Sequence, residues 1–322
     1  MRIPKIAVLG AGNVGAASAA AMAARRLGRI HLYDIVPDLA VGKAMDINQA
    51  SPFFRSDSRV VGADDPQTMA DSDVVVVTAG APRQEGMTRQ DLFDENRAVL
   101  EDLAVRIARH CPSAKVLVVT NPVDLLTWGV HRACPKLNVF GLGCSLDTLR
   151  LRFFLAEAAD VSVDAVNAMV IGMHSDLMVP LVGHATIGGV AAGQLLSPEA
   201  IAQVVTRTRE AGTRIVRRLK TRGSFYAAAW TIAEIVEAVV RHKRGVFPLS
   251  VACPEHFGYE GVFLALPALV GSGGVEEVLR VDLDDQEGAG LARCAEHMRR
   301  SIAAAEDGGE AGRVGPRPAD SR

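Results

Sequence analysis

The chain has 322 residues, 49% apolar, 5% aromatic and 22% charged, and its formal net charge is −2. That length allows two domains or one large α/β unit with a sizeable core. The near-neutral balance excludes a global field for nucleic acid or an anionic membrane, and the basic run at 206–222 lacks aromatic platforms and reads as a solvated helix face.

In chain order, the β-branched runs KIAVLG (5–10), RIHLYD (29–34), DVVVVTAG (73–80), AKVLVVTNP (114–122) and NVFGLG (138–143) read as strands buried on both faces. Helix-length segments separate them, which predicts an α/β fold with an N-terminal, doubly wound parallel sheet over residues 1–145. After that the rhythm changes to helices at 146–159, 197–221 and 227–242. The strand-like runs at 245–252 and 261–267 suggest an antiparallel pair, and a last helix is expected over 286–305 with Asp284 or Asp285 near its N-cap. Residues 146–305 therefore read as a C-terminal α+β substrate domain, and the apolar-poor tail 306–322 as disordered.

Cys111, Cys134, Cys144, Cys253 and Cys294 are scattered and form no CxxC pair. They predict reduced thiols and no metal site, and with no signal-peptide layout at the N-terminus and no apolar run of ~18 residues they predict a cytoplasmic location.

GAGNVG sets Gly10, Gly12 and Gly15 between the first strand and an Ala-rich helix. The first glycine permits a tight turn, the second lets a pyrophosphate approach the backbone, and the third lets helix and strand pack closely. The helix N-terminus then offers unsatisfied N–H groups to the phosphates. Asp34 ends the second strand, about 20 residues further on, where a carboxylate binds ribose hydroxyls and repels a 2′-phosphate. This pattern predicts NAD rather than NADP.

Polar groups gather further along. Arg83 and Arg89 flank Gly86 in APRQEGMTRQDLF; Asn121 ends a strand at the carboxyl edge of the sheet; Asp147 and Arg150 share a helix face; and His174 interrupts an apolar run in MVIGMHSDLMVPLVG. Taken singly, each is more often a surface or core residue than a ligand.

Together, in this order, the motifs GAGNVG, TAGAPRQEGMTRQDL, TNPVD, LDTLR, HSDLMVPL and GGVEEVL resemble the lactate/malate dehydrogenase family as far as residue 305. The resemblance implies a Rossmann-type domain and transfer of a hydride between NAD and a 2-hydroxy acid. His174 would be the acid–base group and Asp147 its orienting partner. Arg150 would grip the C1 carboxylate, Arg89 polarise the 2-oxo oxygen, Asn121 orient substrate or nicotinamide ribose, and Ser224 line the pocket. Asn13, Val14, Thr78, Ala79, Gly80, Asn96 and Val119 would join the glycines, Asp34 and Asn121 around the cofactor.

Arg83 stands where lactate-type members carry glutamine, which implies a second carboxylate on the substrate and hence malate over lactate. GCSLD is nearer the lactate type and leaves room for another distal anion, such as a sulfonate or phosphonate. The family also implies a homodimer or homotetramer. A nucleotide-binding sensor without turnover would not explain the retained polar set, and an NAD-dependent glycosidase would need a metal site.

Two departures stand out: Ala228 replaces a proline of malate-type members, and Ser175 replaces the family glycine after the histidine. If the backbone at 175 needs positive φ, serine costs about 1–2 kcal/mol there.

Overall fold

A computed structural model describes residues 2–81, 89–220 and 223–311. The first half runs β1 (Lys5–Leu9), α1 (Asn13–Ala24), β2 (Arg29–Tyr33), α2 (Leu39–Gln49), α3 (Ser51–Phe54), β3 (Val60–Ala63), β4 (Val74–Val77), α4 (Arg89–His110), β5 (Lys115–Val118), α5 (Val123–Ala133) and β6 (Asn138–Gly141). The second half runs α6 (Ser145–Ala159), β7 (Val166–Asn167), β8 (Val170–Ile171), β9 (Val179–Pro180), β10 (Thr186–Ile187), β11 (Val190–Ala191), α7 (Ala192–Leu195), α8 (Pro198–Leu219), α9 (Tyr226–Val240), β12 (Gly245–Ala252), β13 (Phe263–Gly271), β14 (Gly274–Val278) and α10 (Asp285–Ala311).

Nine strands form one sheet in the order β14-β13-β12-β6-β5-β4-β1-β2-β3. The six from β3 to β6 are parallel, in the doubly wound order 3-2-1-4-5-6. All four valines of β4 are buried, as a strand covered by helices on both faces requires. The chain reverses its direction of winding between β1 and β4, so a crevice opens there beyond the carboxyl ends of the strands.

The antiparallel pair expected from residues 245–267 is β12 and β13, and it extends the sheet instead of standing apart from it. Ser250 of β12 pairs with Gly141 of β6, while the Ala-rich α1 packs against α9. The main core accordingly spans both halves, including Ile6, Val76, Leu117, Ile232, Leu264 and Met298. A smaller core under α6 and α8 gathers Leu151, Leu155, Val170, Met178, Ile187 and Val204.

α10 begins on a capping box. Asp284 Oδ1 accepts the Glu287 N–H at 2.8 Å, and Glu287 Oε2 accepts the Asp284 N–H at 3.2 Å. The helix continues to Ala311, so residues 306–311, read from composition as part of a disordered tail, are helical. Two contacts reach the helix where this stretch begins: Arg97 donates to the Ala305 carbonyl at 2.7 Å, and Arg132 meets Glu306 at 2.6 Å. The remainder of the expected tail, 312–322, lies outside the described residues.

Candidate active site

The nucleotide end is built from the turn between β1 and α1. Gly10 has φ +106°, and a Cβ on Gly15 would stand 1.8 Å from the Gly10 carbonyl oxygen and 2.7 Å from Thr78 Oγ1. Helix and strand therefore approach more closely than any side chain at 15 permits. A Cβ on Gly12 would meet nothing within 4 Å, which is the open approach that a pyrophosphate needs at the start of a helix. Asn13 and Val14 open α1 and are half-buried.

Asp34 sits at the end of β2 and reaches back to this turn. Its Oδ2 accepts the Ala11 N–H at 2.6 Å, and its Oδ1 accepts the Val36 N–H at 3.0 Å. Thr78 follows β4 and donates to the Gly10 carbonyl at 2.9 Å, while Thr120 donates to the Ala79 carbonyl at 2.6 Å. Gly80 and Val119 lie along the same edge. Asn96 is wholly buried: its Oδ1 accepts the Ala81 N–H at 2.7 Å, and its Nδ2 donates to the Asn121 carbonyl at 3.0 Å. It braces the crevice from behind, with Asn121 exposed at the end of β5.

The polar trio read from separate motifs meets in space. Asp147, in the first turn of α6, is 0% exposed and receives His174 Nδ1 on Oδ2 at 2.6 Å. Its Oδ1 accepts from Arg150 Nη1 at 2.9 Å, one turn along the same helix. One carboxylate thus orients both the imidazole and the guanidinium. His174 lies in the loop between β8 and β9. The Asp147 charge raises its pKa above the ordinary 6.5, against the opposing effects of burial and of Arg150.

With Nδ1 committed to Asp147, Nε2 is the nitrogen that can exchange a proton. Arg150 is 12% exposed and passes close to α8 at Gly212, where a Cβ would lie 3.5 Å from Nη1 and 3.6 Å from Nη2. A larger residue there would cover the guanidinium. Ser224 is half-buried just ahead of α9, and Ala228 is buried within it.

Ser175 is buried and does not adopt a positive φ, so the strain considered for serine at that position is absent. Its hydroxyl instead accepts the Leu177 N–H at 3.2 Å, closing a small turn behind His174. Arg89 opens α4, and Arg83 lies outside the described residues.

Two participants escape a reading of the sequence alone. Asp124, within the TNPVD motif, accepts the His174 backbone N–H on Oδ2 at 2.9 Å, and Gly212 sits in a helix that otherwise reads as an arginine-rich surface. The small residue in that helix was the available hint for Gly212; Asp124 closes the TNPVD motif, which marks the residue but not its bond to His174.

A dinucleotide crevice beside a carboxylate-oriented histidine and a shielded arginine defines an oxidoreductase of the hydroxy-acid class. Residues 4–141 match the lactate/malate dehydrogenase NAD binding domain, and residues 144–308 match the lactate/malate dehydrogenase alpha/beta C-terminal domain. The chain belongs to the lactate/malate dehydrogenase family.

It is 41% identical to a malate dehydrogenase of Rhodopirellula baltica over 291 residues, 89% of this chain and 92% of the relative. Its fold is similar to the apo malate dehydrogenase of Picrophilus torridus, with TM-score 0.91, 36% identity and coverage of 95% of this chain and 98% of the other. It is equally similar in TM-score, 0.91, to a Cryptosporidium parvum lactate dehydrogenase complexed with lactic acid and nicotinamide adenine dinucleotide. That pair is 31% identical, with 94% and 98% covered.

Proposed function

We propose that the protein is an NAD-dependent malate dehydrogenase, interconverting (S)-malate and oxaloacetate. The observation that carries this reading is the Asp147 carboxylate holding His174 at 2.6 Å and Arg150 at 2.9 Å at once. The open approach at Gly12, and Asp34 at the end of β2 with its Oδ2 turned back to the Ala11 N–H, support NAD in the crevice, with Asp34 taking the ribose hydroxyls; bound there, NAD supplies the hydride acceptor.

In malate oxidation His174 takes the 2-hydroxyl proton on Nε2, and Asp147 stabilises the resulting imidazolium. Arg150 holds the C1 carboxylate with the N–H groups not directed at Asp147. Arg89 polarises the 2-oxo oxygen in the reverse direction, and Asn121 orients the substrate or the nicotinamide ribose. Ser224 lines the pocket. Asp34 favours NAD over NADP, because a 2′-phosphate beside its carboxylate would be repelled.

Malate and lactate differ at the distal group, and the equal TM-scores to the two kinds of relative do not separate them. Arg83 does so on chemical grounds. Closing a site around lactate would leave this cation without a counter-ion, a cost of about 2–5 kcal/mol. The malate dehydrogenase relatives at 37–41% identity support the same choice.

We further assign the protein to the cytoplasm, consistent with five unpaired cysteines; burial pushes Cys111 and Cys253 up to about 11 and Cys294 to about 12. Among the described residues no helix is long and apolar enough to cross a membrane. A homodimer or homotetramer is proposed, supported by exposed Met45, Phe53, Tyr226 and Trp230 on helices that share α1 as a neighbour.

Titration with NADH, followed by addition of oxaloacetate, tests the activity. The parent should oxidise the nucleotide, and His174→Asn should bind it with turnover reduced by at least about 10²-fold. Binding without oxidation by the parent would contradict the reading.

A further inference from the structure

Asp124 is a buried carboxyl behind the histidine loop. It lies in the first turn of α5, just after Asn121 and Pro122, and is 4% exposed. Its Oδ2 takes the His174 backbone N–H at 2.9 Å. Its Oδ1 is buried without a well-formed hydrogen bond, and so is Oγ of Ser250, the hydroxyl that faces this carboxyl from β12. Burial pushes the Asp124 pKa above the usual carboxylate range, opposed first by the His174 N–H and then by Ser250.

A carboxyl in such a place is expensive for the fold, and an apolar residue of similar volume would commonly be at least as stable. What the apolar residue would not supply is the bond to His174. Asp147 on α6 fixes the imidazole through Nδ1, while Asp124 on α5 fixes the backbone that carries it. With one tether at each end, the residue is held from two different helices. One of these, α5, starts at the strand end that presents Asn121, so the tether also ties the histidine loop to the edge of the nucleotide crevice.

We propose that Asp124, backed by Ser250, is a positioning residue for His174, setting where Nε2 stands relative to the substrate hydroxyl without touching substrate or imidazole. This rests on the reading of His174 as the acid–base group. A displacement of about 1 Å at a reacting centre can cost about 10²-fold in rate. The loss should therefore fall on kcat and leave binding in place.

The test is steady-state oxidation of NADH by oxaloacetate for Asp124→Ala, Asp124→Asn and His174→Asn, with NADH affinity and thermal midpoint measured on each. Asp124→Ala should lower kcat by about 10- to 100-fold, with KM and NADH affinity within about twofold of the parent. Asp124→Asn, whose carbonyl oxygen can accept the same N–H, should recover kcat to within about threefold of the parent. If Asp124→Ala does not fold, Asp124→Ser, one atom too short to reach, takes its place with the same expected loss. A folded Ala or Ser variant with kcat within twofold of the parent overturns the proposal, as do equal losses in that variant and Asn. Turnover that survives His174→Asn contradicts the reading of the site itself. An inactive His174→Asn beside a fully active Asp124→Ala contradicts only the role given to Asp124.

Discussion

His174 and Asp147 are joined from Nδ1 to Oδ2 at 2.6 Å, with the carboxylate wholly shielded from water. That pairing stabilises the imidazolium, and its effect reads out in the pH dependence. Oxaloacetate reduction draws on protonated His174 and should fall as pH rises through its raised pKa, above 6.5; malate oxidation needs the neutral ring and should rise through the same value. Asp147→Asn removes the charge that raises the pKa, so both limbs should move to lower pH and reduction at neutral pH should drop by roughly 10²-fold. Limbs that stay where they are in the parent would show that another group sets the protonation.

Gly12 and Gly15 should separate fold from binding. An Ala at 15 would drive its Cβ to 1.8 Å from the Gly10 carbonyl, so the variant should lose about 1–3 kcal/mol of stability, read as a lower thermal midpoint. Gly12→Ala meets nothing within 4 Å in the protein and should change stability by less than about 1 kcal/mol. Its methyl stands in the phosphate approach, so NADH affinity should weaken by about tenfold or more. Unchanged NADH binding in folded Gly12→Ala would place the phosphates elsewhere.

Ser175→Gly should bring no relief of strain, because the serine backbone is not left-handed. The change removes the hydroxyl that accepts the Leu177 N–H at 3.2 Å and adds freedom to the unfolded chain, so stability should fall by about 0.5–1.5 kcal/mol with kcat within about twofold of the parent. A gain in kcat beyond fivefold would mean that the serine holds the histidine loop in a less productive position.

The parallel sheet was legible because its strands are continuous β-branched runs between helix-length segments. The cofactor turn was legible because three glycines and Asp34 keep a spacing dictated by the chemistry. The spacing of three puts Asp147 and Arg150 on one helix face, whereas the approach of His174 to Asp147 followed only from family motifs. Other features depend on partners far along the chain. Asp124 bonds a residue fifty positions away, and Gly212 lies beside the Arg150 guanidinium from another helix. The short strands β7 to β11 have too few residues for a period, and the apolar-poor composition at 306–311 does not show that α10 continues through it. The conformation at Ser175 is likewise set by a side-chain-closed turn, which a glycine-based pattern does not foresee.

The most direct measurement of the proposed activity is the ratio of kcat/KM for oxaloacetate to that for pyruvate, with NADH, in the parent and in Arg83→Gln. The parent should favour oxaloacetate by roughly 30-fold to several thousandfold, matching about 2–5 kcal/mol for an unpaired buried arginine, and Arg83→Gln should narrow the ratio. A parent that turns over pyruvate as efficiently as oxaloacetate, or better, would contradict the assignment.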